Sequence, residues 1–116
     1  MHPNQLPTTA PADLDQARSS GAVVLDVREP EEWDAGHLAD SVHVPMHAVP
    51  AWVDARDGDD DRPVVVVCRS GHRSAHVTRW LLEQGVAATN LGGGLLAWAV
   101  EHRPLVTDSG ARPYVA

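Results

Sequence analysis

Short apolar runs alternate along this chain with segments of helical spacing, and glycine or proline punctuates the joins. Ala22–Val27 (A-V-V-L-D-V) and Val64–Val67 (V-V-V-V) are nearly continuous apolar runs, the pattern of strands buried on both faces. Val42–Val44, closed by Pro45, and Ala88–Leu91 are predicted as two shorter strands. Ala12–Ser19 predicts a helix, acidic early and with Arg18 late as the macrodipole prefers, which Gly21 stops. Pro30 opens a helical turn containing Glu31, Glu32 and Trp33 that ends at Gly36. Ala48–Ala55 predicts a weak helix and Arg56–Pro63 an exposed turn. Ser74–Gln84 carries Val77, Trp80 and Leu81 at helical spacing before Gly85. After a Gly92-Gly93-Gly94 turn, Leu95–His102 predicts a last helix, halted by Pro104.

This alternation predicts an α/β domain built on a mostly parallel central sheet flanked by helices. The 116 residues suffice for one domain and not for two, and no internal repeat is visible. Residues 1–10 read as a flexible leader, 11–104 as the domain, and 105–116 as a tail without pattern. Ligands of such sheets bind beyond the carboxyl ends of the strands, where Asp26 and Cys68 both stand.

Composition narrows the partners. The formal charge is −7 and all nine basic residues are arginine, which argues against nucleic acid or anionic lipid. No segment approaches the ~20 apolar residues of a membrane span. Met1–Ala12 lacks a signal-peptide core, so a cytoplasmic location is expected. Hydrophobic residues make up 43% without a single Phe, leaving Trp33, Trp52, Trp80 and Trp98 to supply the bulky packing. One cysteine excludes an internal disulfide and any cysteine-rich metal site, and it leaves no internal resolving thiol.

That cysteine lies in Val64–Ser74 (V-V-V-V-C-R-S-G-H-R-S), between a buried strand and a predicted helix. Facing a helix amino-terminus lowers a thiol pKa, because the dipole and unpaired N–H groups favour the thiolate. Taken alone, a free cysteine after a strand reads as buried and inert. The flanking residues point elsewhere. Arg69 and Arg73 sit near a helix amino-terminus, where a cation is disfavoured by about 0.3–1 kcal/mol. Two such cations make sense if an anion sits between them. Gly71 permits a positive φ, so the loop can turn its N–H groups inward, and Ser70 and Ser74 add hydroxyls. Cys68 with this cup of donors is the candidate nucleophile.

At these residues the chain resembles the rhodanese family. C-R-S-G-H-R-S is close to that family's active-site signature. D-V-R-E-P-E-E-W-D-A-G-H-L (Asp26–Leu38) and N-L-G-G-G-L-L-A-W (Asn90–Trp98) agree in order and spacing. The resemblance covers about residues 10–104 and implies a single-domain rhodanese-like fold of three layers. It further implies a thiosulfate sulfurtransferase, in which Cys68 takes a sulfane sulfur as a persulfide and yields it to a thiol or to cyanide. Cys68 and Arg73 would be catalytic, with Arg73 and the loop N–H groups holding the sulfur's charge. Arg69, Ser70, Gly71, His72 and Ser74 would bind the donor, Arg69 at its sulfonate. Asp26 and Arg28 match a D-x-R segment beside the loop, either supporting the pocket wall or, through an Arg28–Glu31 or Arg28–Glu32 pair, fixing a turn. His37 reads as structural and Trp98 as core. Ala39-Asp40 stands where relatives carry Pro-Gly, which should loosen a turn. No cofactor is implied. The partners would be a small-molecule sulfur donor and a thiol acceptor, thioredoxin or another protein among the candidates, with no nucleic acid and no membrane.

Other chemistries fit less well. Cysteine phosphatases place five residues between Cys and Arg, whereas Arg69, Ser70, Gly71 and His72 make four, a cup narrower than phosphate needs. A sulfur carrier or persulfide sensor serving one protein partner shares the first half-reaction and stays open. His72 and His76 have i, i+4 spacing but no third ligand, so no metal site is expected.

Overall fold

A computed structural model describes residues 5–116 of the chain. Among these residues, five strands form one parallel sheet: β1 (Thr8–Thr9), β2 (Val23–Asp26), β3 (Val42–His43), β4 (Val64–Val67) and β5 (Ala88–Leu91). Their spatial order is β1-β5-β4-β2-β3. The helices are α1 (Leu14–Ser19), α2 (Pro30–Ala35), α3 (Val49–Asp54), α4 (His72–Glu83) and α5 (Gly94–Val100). The mixed α/β architecture matches the expectation.

The valine run explains the layering. Side chains of a strand alternate between faces, so β4 feeds two cores. Val64 and Val66 face a core with Leu25, Val49, Val77 and Leu81, and Cys68 continues that face. Val65 and Val67 face the other core, with Leu14, Leu38, Leu91, Leu95 and Trp98. Thus α3 and α4 cover one side and α1 and α5 the other. Every residue of β2 and β4 is buried, and each fully buried valine or leucine contributes about 1.5–3 kcal/mol.

Register sets the rim on which a site can form. Asp26 is level with Val67, and Val66 is level with Asn90. The carboxyl ends of β2, β4 and β5 therefore bring Asp26, Cys68 and Asn90 along one edge.

The expected leader is structured at its carboxyl end, and the tail, in which the sequence showed no pattern, docks on the domain. Residues 1–4 of the expected leader lie outside the described residues. Thr8–Thr9 is not loose but pairs with β5, and the Thr9 and Thr89 hydroxyls meet at 2.7 Å. Two threonines carry no apolar period, so this edge strand was invisible in the pattern. The tail is also ordered on the domain: His37 and Val106 exchange backbone hydrogen bonds of 2.9 and 2.8 Å, and the Tyr114 N–H donates to the Ala35 carbonyl at 2.9 Å. Leu105 and Val115 pack against the second core. The turn at Ala39-Asp40 is closed despite lacking Pro-Gly. Asp40 takes φ 59°, and the Ser41 hydroxyl donates to the Leu38 carbonyl at 2.6 Å.

Asp26 and Arg28 are fully buried and paired, Nη2 to Oδ2 at 2.8 Å and Nε to Oδ1 at 3.0 Å. The same guanidinium donates to the carbonyls of Gly36 at 2.8 Å and Glu32 at 3.2 Å. Of the two roles left open by the sequence, the Arg28–Glu31 or Arg28–Glu32 ion pair is not formed: among the described residues the carboxylate partner is Asp26, and Arg28 grips the backbone of α2 instead. Removing one partner of a buried pair strands the other charge. Asp26→Ala should therefore cost about 3–5 kcal/mol in urea unfolding, and a loss below ~1 kcal/mol would contradict this role.

Candidate active site

The Cys68 loop is shaped by the amino-termini of two helices. Gly71 is the N-cap of α4 at φ 100°, a left-handed conformation that a side chain disfavours. This turn aims the N–H groups of Gly71 and Ser74 at the Cys68 sulfur, at 3.1 and 3.3 Å. The helix begins at His72 rather than Ser74, so His72 and Arg73 belong to its first turn. From behind, α5 meets the loop's carbonyls: Leu95 N–H donates to Cys68 O and Leu96 N–H to Arg69 O, each at 3.0 Å. A Cβ on Gly94 would lie 2.6 Å from the Cys68 oxygen and 2.5 Å from the Arg69 oxygen. No larger residue fits there. Loop carbonyls thus point away from the sulfur and loop amides toward it.

Cys68 is 1% exposed, at the floor of this cup. The Ser74 hydroxyl lies 3.1 Å from the sulfur and donates to Asn90 Oδ1 at 2.5 Å. Asn90 Nδ2 in turn donates to the Gly71 carbonyl at 3.1 Å. Asn90 opens the N-L-G-G-G stretch, where the sequence pattern assigns it no role. It ties β5 to both walls of the cup, and the signal was its position at the carboxyl end of a strand.

The remaining predicted residues divide. Ser70 and His72 are exposed and turned toward each other, Oγ to Nδ1 at 3.3 Å, so the Ser70 hydroxyl is directed at His72. Arg69 is exposed at the rim, and its Nε donates to the main-chain oxygen of Ala116 at 3.0 Å. Arg73 forms a two-pronged pair with Glu32, Nη1 to Oε1 at 2.7 Å and Nη2 to Oε2 at 2.8 Å. Glu32 also accepts from the Glu29 N–H at 3.0 Å, closing a capping box on α2. The Arg73 guanidinium holds the Glu32 carboxyl at about 2 against an ordinary 4.5, burial opposing and the backbone bond adding. Arg73 is raised in turn, through Glu32 first, with burial opposing and smaller contributions from the charges of Cys68 and Asp26. Glu32, which the sequence offers as part of a helical turn and as a possible partner of Arg28, is paired with Arg73 instead.

His37 stacks on Trp33 at 3.5 Å between ring centroids, and its Nδ1 meets the Trp33 carbonyl at 2.9 Å. His43 covers the same indole at 4.8 Å, and its Nε2 meets the Arg28 carbonyl at 2.8 Å. Both histidines brace α2. Among the described residues, no three His, Cys, Asp or Glu side chains converge as a metal-ligand set, and no helix is long and apolar enough to cross a membrane.

Comparison with known proteins gives a consistent picture. The rhodanese-like domain family model matches residues 10–101. A sulfurtransferase of Allochromatium vinosum is 36% identical over 95 residues, covering 81% of this chain and 87% of the relative. Thiosulfate sulfurtransferase GlpE of Pseudomonas aeruginosa is 35% identical over 102 residues, 87% of this chain and 90% of the relative. Among solved structures, a rhodanese-related protein of Thermoplasma volcanium superposes with TM-score 0.76 at 30% identity, over 86% of this chain and 97% of its own.

The Glu32–Arg73 pair has a testable pH signature. Because the folded pKa of Glu32 is depressed, its stabilisation is fully present above about pH 4.5 and is lost as pH falls through about 2. The stability gap between wild type and Glu32→Gln should be constant from pH 7 to 5 and clearly narrower at pH 3. Urea midpoints with a gap as wide at pH 3 as at pH 7 would rule the pair out as the cause.

Proposed function

The chain belongs to the rhodanese-like family of sulfurtransferases, and we propose that it moves a sulfane sulfur from thiosulfate to a thiol acceptor through a Cys68 persulfide. The observation that carries this reading is the convergence of the Gly71 and Ser74 N–H groups on one buried sulfur. Fixed amide dipoles around a buried sulfur stabilise its negative charge without reorganising, as they do an oxyanion.

In the first half-reaction the Cys68 thiolate attacks the outer sulfur of thiosulfate. A new S–S bond forms, the donor's own S–S bond breaks, and sulfite leaves with the electron pair. In the second, an acceptor thiolate attacks the terminal persulfide sulfur and the Cys68 thiolate is restored. With cyanide as acceptor the product is thiocyanate. No net oxidant or reductant is consumed, so a single cysteine suffices. Arg69 at the rim is the group we assign to the donor's sulfonate, and Arg73, neutralised by Glu32, contributes a paired rather than a free cation. Thioredoxin-like proteins and small thiols are the acceptor classes to test.

Intact-mass measurement after thiosulfate exposure should show one added sulfur atom on wild type and none on Cys68→Ser, and cyanide should remove it. Absence of a cyanide-labile sulfur on Cys68 would falsify this function.

A further inference from the structure

We propose that the segment Leu105–Ala116 is a strap that aims Arg69 at the anionic donor, with Ala116 as a positioning residue. The role of Arg69 rests on the function proposed above; its aim by the strap rests on geometry alone.

An arginine at an exposed loop rim is ordinarily free to rotate about four side-chain bonds. Here its Nε is held by the main-chain oxygen of Ala116 at 3.0 Å. A guanidinium carries five N–H donors in a rigid fork, so fixing Nε sets the plane of the other four. Neither terminal nitrogen of Arg69 has a hydrogen-bond partner among the described residues, whereas Arg28 and Arg73 use theirs on protein oxygens. Two parallel N–H groups on a pre-set plane suit a sulfonate, which offers paired oxygens for two-pronged binding.

The strap is itself built to stay in place. It is held at His37–Val106, at His37 Nε2 to Asp108 (3.2 Å), at Tyr114 N–H to Ala35, and by Leu105 and Val115 on the core. Gly36 supplies an independent sign. Its φ of 164° is extended and open to any residue, yet a Cβ there would lie 2.7 Å from the Tyr114 carbonyl oxygen and 2.9 Å from the Tyr114 nitrogen. The glycine is needed for room, and what occupies the room is the strap. The strap thereby links α2, which carries Glu32, to the loop residue after Cys68.

Two variants loosen the strap away from the sulfur without changing charge: Gly36→Ala by the clash, and Val115→Ser by weakening its packing. The readout is the rate of Cys68 alkylation by anionic iodoacetate divided by that with neutral iodoacetamide, alongside KM and kcat for thiosulfate. Arg69→Ala should lower the ratio and raise the thiosulfate KM about tenfold, the worth of one charge-assisted contact. Gly36→Ala and Val115→Ser should shift both in the same direction by about threefold, with kcat changed less, and should add nothing in an Arg69→Ala background. Wild-type values in both strap variants, a lowered KM, or equal effects with and without Arg69 would overturn the strap. If wild type takes no sulfur from thiosulfate, the functional reading fails, and the alkylation ratio still decides the strap.

Discussion

The buried pair of Asp26 and Arg28 is the constraint from which the site is assembled. Both side chains lie at the carboxyl end of β2, and all three guanidinium nitrogens are bonded to protein oxygens. Two of the acceptors are carbonyls of Glu32 and Gly36, so a charge in the core fixes the helix that runs over it. That helix presents Glu32, and Glu32 holds Arg73 on the first turn of α4. A buried ion pair is weak evidence for stability, since desolvation opposes the attraction. Its value here is positional: α2 has no buried residue of its own and would otherwise be held only at its edges.

The same chain of contacts alters the electrostatics of the cup. A cation on the first turn of a helix opposes the macrodipole. Glu32 offsets that cost at Arg73, and Glu32 is itself favoured by the cap it makes on α2. The net charge near the sulfur is therefore smaller than the two arginines suggest. What remains directed at Cys68 without compensation is the pair of backbone N–H groups, which carry no titratable proton and hold their orientation through the helix.

Much of this was legible in the chain because it was carried by local signals. The valine run, the proline and glycine stops, and the C-R-S-G-H-R-S loop each act through neighbouring residues, and the parallel sheet and the cup followed from them. The Glu32–Arg73 pair and the strap were not legible, for a common reason. Arg73 meets Glu32 across 41 residues, and Arg69 meets Ala116 across 47. No period or motif records a partner at that separation. Gly36 shows the limit well. As a helix stop it was readable, but its need for space arises from a segment that is remote in sequence and lacks any apolar period.

Two helices share the work of orienting the Cys68 loop, α4 through the amides at the sulfur and α5 through the loop carbonyls. A tight turn that aims amides inward must turn its carbonyls outward, and unpaired carbonyls under a helix would be costly. The first turn of α5 removes that cost by donating to the carbonyls of Cys68 and Arg69. The approach is close enough that residue 94 must be glycine. The triple glycine after β5 and the Cys68 loop are thus two halves of one device. The dipole of α4 faces the sulfur directly, while that of α5 acts through the peptide groups it polarises. Any residue that pushes α5 back from the loop would cost the Cys68 and Arg69 carbonyls the donors that turn them away from the sulfur.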